Sequence, residues 1–392
     1  MLGFIKTLQQ RTPLGLLQLK HDRMRLLTAI AGITFADVLI FMQLGFADAL
    51  YKSNTQYPRV LQTDLVLISA QAKNFGKLRT FTRRRLFQAQ DVPGVADADA
   101  LYLGSVDWRN PQTRKKASTL IVGQNPDRPA FNLPEVNQQL DAIRLPEMVL
   151  FDRASRGDYQ DLIAQVEQGK QVRTEIGTQT VTVAGLFQVG ASFADDGALI
   201  TSDQNFLRLF PKREAGAVSL GLIHLHPGYD PEQVRAALAA HLPEDVQVLT
   251  SQGYVDFELN DIKSSSAIGF VFNLGTAMGF IVGIVIVYQV LSTDVNSHLA
   301  EYATFKAMGY RNAYLLGVVF EEALILSLLG FIPGLALSLG AYQLTATATA
   351  LPIAMPVSRA ILVLLLTLVM CGVSGSIATR RLQAADPADI FS

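Results

Sequence analysis

Three carboxylates stand in or beside long apolar runs of this chain: Asp37, Glu321 and Glu322. A mid-bilayer Asp costs about 2.5–3.5 kcal/mol on insertion scales, so it must face other helices or water. Asp37 lies roughly 18 Å beyond Arg25 along a helix rising about 1.5 Å per residue. It is either a coupling or gating carboxylate, or a protonated Asp hydrogen-bonded within a bundle. Glu321 and Glu322 precede Ala323–Ala341, which alone spans about 28 Å and is enough to cross a bilayer core. Both are therefore expected at the cytosolic interface.

The other reactive types lead nowhere catalytic. His224 and His226, two apart on an expected strand, would share one face. With no carboxylate or Cys at ligand spacing they read as a solvated face, and no metal site is expected. The single cysteine, Cys371, excludes intramolecular disulfides and Cys-rich metal centres. Gly76-Lys77 and Gly169-Lys170 do not complete G-x-x-x-x-G-K-[ST], so the chain has no P-loop. G-x-S-x-G, H-E-x-x-H and G-x-G-x-x-G are absent too, and Ser374 reads as a packing residue. The chain is not expected to be an enzyme or to hold a cofactor of its own.

Composition says what must position these residues. The chain has 392 residues, 33 basic against 34 acidic, with a net charge of −1. That balance argues against a nucleic-acid binder. Charged residues are only 17% and mean hydropathy is +0.26, which points to a membrane. Four runs are apolar and long enough to span one: 26–46, 268–290, 314–341 and 360–379. Ala47-Asp48-Ala49 mimics a cleavage site, but the run before it and its own lead-in are too long for a signal peptide, so a retained helix is expected. Lys6, Arg11, Lys20, Arg23 and Arg25 precede the first run. Lys306 and Arg311 lie between the second and third, and Arg380 and Arg381 follow the fourth. Basic residues favour the cytosol, so both termini and the 291–313 loop are expected inside. Residues 47–267 would lie outside, 342–359 would form a short outer loop, and 380–392 a cytosolic tail.

Residues 1–25 read as an interfacial amphipathic helix, with Leu2, Phe4, Ile5 and Leu8 on one face. The outer segment alternates strand and helix signals and predicts an α+β domain. Asp64–Ser69 and Ala117–Val122 read as strands, and Arg79–Gln90 as a basic helix. Val172–Glu175 and Gln179–Phe187 form a hairpin across Gly177. Ser219–Leu225, Pro231–His241 and Val246–Thr250 read as strand, helix, strand, with Asp230 as N-cap and Pro at the helix start. The basic runs Arg83–Arg85 and Arg114–Lys116 read as a solvated helix face and a hairpin tip. Ser251–Ser266 returns the chain to the membrane as a helix. The fold expected is an α-helical membrane protein of four spans, with a large α+β periplasmic domain inserted between the first and second.

Two glycine ladders stand out: Gly275, Gly279 and Gly283, then Gly330 and Gly334. Small residues four apart let helix backbones approach closely, either within the chain or between two copies. Between the second and third runs, Glu301, Tyr302, Phe305, Lys306, Met308 and Gly309 form a short helical segment closed by a glycine C-cap.

That segment, followed by Glu322-Ala323, resembles the FtsX/MacB-type permeases of ABC transporters, as does the layout of one span, a large insert and three more spans. Ala300 stands where an Arg often precedes the Glu in MacB relatives. Within the family, Phe35–Phe46, Leu351–Met355 and Asp386–Phe391 resemble the DevC type of cyanobacterial exporter permease. The resemblance implies an inner-membrane exporter subunit that pairs as a homodimer. It further implies an ABC ATPase subunit carrying ATP and Mg, a periplasmic membrane-fusion adaptor and a TolC-like outer-membrane channel. Glu301, Tyr302, Phe305, Lys306, Met308 and Gly309 would contact the ATPase. Glycolipid is the implied cargo. The alternative is a mechanical relay that switches a periplasmic partner without moving cargo.

Overall fold

The computed structural model describes residues 23–265, 267–298, 301, 304, 308 and 312–384. The expected helix over 1–25 therefore lies almost wholly outside the described residues. The chain divides into two compact units: a helical one of residues 1–47, 270–344 and 353–392, and an α+β one of residues 48–269 and 345–352.

In chain order the elements begin with α1 (Arg23–Val60), β1 (Leu65–Ser69), a 3-10 turn (Phe75–Lys77), β2 (Phe81–Thr82), α2 (Arg84–Gln90), β3 (Val95–Arg109) and β4 (Lys116–Gln124). Then come α3 (Pro134–Asn137), α4 (Leu140–Arg144), β5 (Met148–Asp152), α5 (Gln160–Glu167), β6 (Val172–Ile176), β7 (Gln179–Phe187), β8 (Gly197–Ser202) and α6 (Asp203–Leu209). The chain continues through β9 (Ala217–Val218), β10 (Leu220–Leu225), α7 (Pro231–His241), β11 (Val246–Thr250), α8 (Ser251–Ser265), α9 (Ala267–Ser297), α10 (Asn312–Thr349) and α11 (Val357–Ala384).

The α+β unit is built on a nine-stranded mixed sheet in the order β11-β1-β10-β3-β4-β8-β5-β7-β6. The long β3 organises it. Residues 95–101 pair with β10, and residues 102–109 pair with β4. The pairs β4–β8 and β5–β7 are parallel. One buried cluster gathers Trp108, Phe151, Tyr102 and Phe206. A second gathers Tyr57, Phe131, Phe187 and Tyr254. Such large side chains stabilise by about 1.5–3 kcal/mol each when removed from water. The β6–β7 hairpin forms as expected, with Gly177 in the left-handed region at φ 59°. In α7 the Asp230 carboxylate accepts from the Glu232 N–H, with Pro231 at the first helical position.

Two local readings are corrected, and some strands go beyond the sequence reading. The helix expected from Arg79 begins at Arg84, because Phe81 is buried and pairs in a strand with Val218. His226 lies beyond the end of β10, and the register shifts between His224 and Leu225, so the two imidazoles do not share a strand face. Strands β3, β5 and β8 were not anticipated.

Four helices among the described residues are long and apolar enough to cross a membrane: Arg23–Val60, Gly269–Ser297, Gly317–Thr349 and Val357–Thr379. They run past the apolar stretches read from sequence. Helix α9 continues to Ser297, where Thr293 and Ser297 hydroxyls donate to carbonyls four residues back. Helix α10 continues to Thr349 and stops at Ala350, whose φ is +52°. The loop before α11 is therefore shorter than 342–359.

Candidate functional site

The helical unit holds buried polar groups in two places. The first surrounds Asp37, which is fully buried on α1. Its Oδ1 lies 2.7 Å from the Thr367 hydroxyl of α11, which also reaches the Val363 carbonyl at 2.8 Å. Its Oδ2 is buried with no hydrogen-bond partner among the described residues. One turn earlier, Thr34 donates to the Gly330 carbonyl of α10 at 3.0 Å. Further along, the Tyr342 hydroxyl donates to the Phe41 carbonyl. Arg359 donates to Tyr342 Oη at 3.2 Å and to the Ala354 carbonyl at 2.7 Å, with its guanidinium 5.6 Å from the Tyr342 ring centroid. Helices α1, α10 and α11 are thus tied by side chain as well as by packing.

The second place joins α1, α9 and α10. Arg25 Nη1 donates to Asp294 Oδ1 at 2.9 Å, and Nη2 to the Ser297 hydroxyl at 3.2 Å. His298 Nδ1 lies 3.6 Å from the same Asp294 oxygen. Glu322 sits beside Asp294 and within electrostatic reach of Arg25. It is 1% exposed, and neither of its oxygens has a hydrogen-bond partner among the described residues. This corrects the interfacial reading of the glutamate pair: Glu321 is partly exposed, but Glu322 is enclosed by neighbouring helices. Two buried carboxyl groups beside one guanidinium balance in charge when one of them holds a proton, and such clusters respond sharply to loss of any member. The sequence reading missed Asp294 and Arg359 as buried charges.

The glycine ladders meet α1. A side chain at Gly275 would strike Gln43, and at Gly279 it would press on Ile40. At Gly283 it would meet Met370 and Ala36, at Gly330 Ile33, and at Gly334 Asp37 with the Thr34 backbone beyond. Both ladders therefore face the chain's own first helix. Ser374 donates to the Ile284 carbonyl at 2.9 Å, the contact of a packing residue.

Of the loop residues singled out from sequence, Glu301 and Met308 are exposed. Met308 N–H donates to the Thr304 carbonyl at 3.0 Å, a helical turn. Tyr302, Phe305, Lys306 and Gly309 lie outside the described residues. In the α+β unit, no group of three or more His, Cys, Asp or Glu among the described residues is placed to hold a metal ion.

Long apolar helices with buried polar ties are carried in one chain with a large mixed-sheet α+β unit, an arrangement compatible with a membrane protein. The model of the MacB-like periplasmic core domain matches residues 26–241, more than half of the chain, and that of the FtsX-like permease C-terminal domain matches residues 273–387. The chain belongs to this family, the FtsX/MacB-type permease subunits of ABC transporters, whose ATPase is a separate subunit. No curated protein matches the chain. Among solved structures it is similar to the periplasmic region of MacB from Actinobacillus actinomycetemcomitans, at 9% identity and TM-score 0.33, covering 50% of this chain and 91% of that one. It is also similar to the extracellular domain of the noncanonic ABC-type transporter YknZ from Gram-positive bacteria, at 15% identity and TM-score 0.31, covering 48% and 98%. A permease-protein domain from Porphyromonas gingivalis matches at 15% identity and TM-score 0.29, covering 49% and 88%.

Proposed function

We propose that this chain is the membrane subunit of an ABC exporter, driven by a separate ATPase subunit that binds ATP and Mg. The observation that carries the reading is the pairing of a MacB-like core domain with an FtsX-like permease domain in one chain that lacks a P-loop. In this reading the chain pairs with a second copy in the inner membrane, both termini facing the cytosol. The segment around Glu301, Tyr302, Phe305, Lys306, Met308 and Gly309 takes the push of nucleotide closure. The helices carry it to the periplasmic unit, which works on a membrane-fusion adaptor and a TolC-like channel. The DevC-like stretches favour a glycolipid or similar lipid-like cargo. The polar ties among α1, α10 and α11 suit helices that move together.

The test is co-purification of the tagged full chain in mild detergent, followed by mass spectrometry. A P-loop ATPase and a periplasmic adaptor are expected. Phe305→Asp is expected to remove the ATPase while leaving membrane insertion intact, because a charge would replace an apolar anchor at the contact. An ATPase that stays bound to the variant overturns the role given to this segment. A cell-wall hydrolase in place of the adaptor replaces export with a mechanical relay.

A further inference from the structure

The α+β unit contains a cavity of about 120 Å³ whose chemistry is asymmetric. One wall is apolar: Tyr57 and Phe75 stack with ring centroids 5.8 Å apart and planes 5° from parallel, beside Leu78 and Leu103. Tyr57 is only 6% exposed, and its hydroxyl has no hydrogen-bond partner among the described residues. The lining also carries Asp195, its one charged side chain among the described residues. Asp195 Oδ1 accepts from the Ser118 hydroxyl at 3.0 Å. No cation pairs with Asp195 among the described residues. Asn54, also on the lining, already donates its amide nitrogen to the Leu50 carbonyl at 2.8 Å, which leaves its oxygen as a second acceptor.

The loop that carries Asp195 is pinned. Asp152 accepts from the Val189 and Gly190 N–H groups at 3.2 and 2.7 Å. Arg156 is committed to Asp196 at 2.7 Å and to the Ser192 carbonyl at 3.0 Å, so it does not neutralise Asp195. A carboxylate with no cation beside it, sharing one cavity lining with two aromatic rings, is an arrangement that attracts an organic ammonium through charge and the ring quadrupole. The cavity is comparable to the ~150 Å³ cavity that holds a benzene ring, so the guest must be small.

We propose that this cavity is a binding site for a small organic cation, an ammonium head group with a compact apolar body, held by Asp195 and the Tyr57–Phe75 pair. The site is argued from groups of the α+β unit alone, so it stands whether or not the chain exports cargo. A free amine and the head group of a larger amphiphile share this chemistry.

Equilibrium dialysis of the full chain in a maltoside detergent tests it, with radiolabelled choline as the probe and 3,3-dimethyl-1-butanol, its uncharged carbon isostere, as competitor. Saturable choline binding is expected, with the isostere competing at least about tenfold more weakly. Asp195→Asn is expected to weaken choline by about tenfold or more while leaving the melting temperature unchanged, and Phe75→Ala to weaken it independently. Competition by choline phosphate esters with longer tails would assign the site to an amphiphile head group, and its absence to the free amine. No saturable binding to the wild-type chain, or equal competition by the isostere, overturns the proposal.

Discussion

Arg25 and Asp294 come within 2.9 Å across most of the sequence, and Glu322 joins them from a third helix. Asp294 is 5% exposed at its side chain and Arg25 24%, so the pair is shielded from much of the screening that makes surface ion pairs weak. Removing the guanidinium would leave two carboxylates buried side by side. Arg25→Ala is therefore expected to destabilise the detergent-solubilised chain by about 3 kcal/mol. Glu322→Gln in that background is expected to restore most of the loss, because the amide is neutral at any pH and can donate a hydrogen bond to Asp294. Thermal unfolding of the wild type, the two single variants and the double variant measures this directly. A melting temperature unmoved by Arg25→Ala would remove the cluster from any structural role. The sequence did not disclose this triad, because periodicity reports which face a residue occupies and not which distant residue meets it. The apolar residues after Glu322 suffice to span a bilayer core and point to an interface, but neighbouring helices cover the same turn.

Among the elements, the glycine ladders separate contact from mere presence. Gly330 has Ile33 against it, whereas Gly340, on the same helix, has nothing within 4 Å of the position a side chain would take. Gly330→Leu is expected to overpack the α1–α10 seam and cost about 1–3 kcal/mol. Gly340→Leu is expected to be neutral or stabilising by up to about 1 kcal/mol, since leucine is the better helix former. Melting temperatures of the two variants decide it, and equal losses at both positions would place the seam elsewhere. The motif was legible as four-residue spacing, but the sequence left open whether it faced the same chain or another. In the α+β unit, α7 was legible to the residue because Asp230 and Pro231 mark its start and apolar side chains recur on one face. The longest strand was not. Its first half alternates Ala and Asp, and small residues give little hydrophobic contrast. The alternation is nonetheless used, because Asp97 and Asp99 meet Arg128 at 2.7 and 3.1 Å. The Arg79 start for α2 failed for a related reason: a basic run reads as helical surface, while one buried aromatic, Phe81, commits the backbone to a strand.

For the whole molecule, the reading that remains to be tested is which side of the membrane each segment faces. It rests on the placement of Lys and Arg around the four apolar runs, a bias that holds for short loops and not for a long inserted domain. The chain itself supplies a clean reporter. Cys371 is its single cysteine and is buried, so the wild type is expected to be silent to a membrane-impermeant maleimide in its folded state. Thr113 is exposed on the turn between β3 and β4, and Asn296 is exposed near the end of α9. If the α+β unit lies outside and the end of α9 inside, Thr113→Cys labels in intact spheroplasts. Asn296→Cys then labels only after permeabilisation. Both side chains are exposed, so either substitution should cost under about 0.5 kcal/mol and leave the fold intact. Labelling of Asn296→Cys in intact spheroplasts would invert the molecule. The segment around Glu301 would then face away from any cytosolic ATPase, and the exporter reading could not stand on it. Labelling of Thr113→Cys alone leaves the helices as the route from that segment to the outer unit. The side-chain ties at Asp37, Thr34 and Arg359 are then the points at which a displaced α10 must carry α1 and α11 with it.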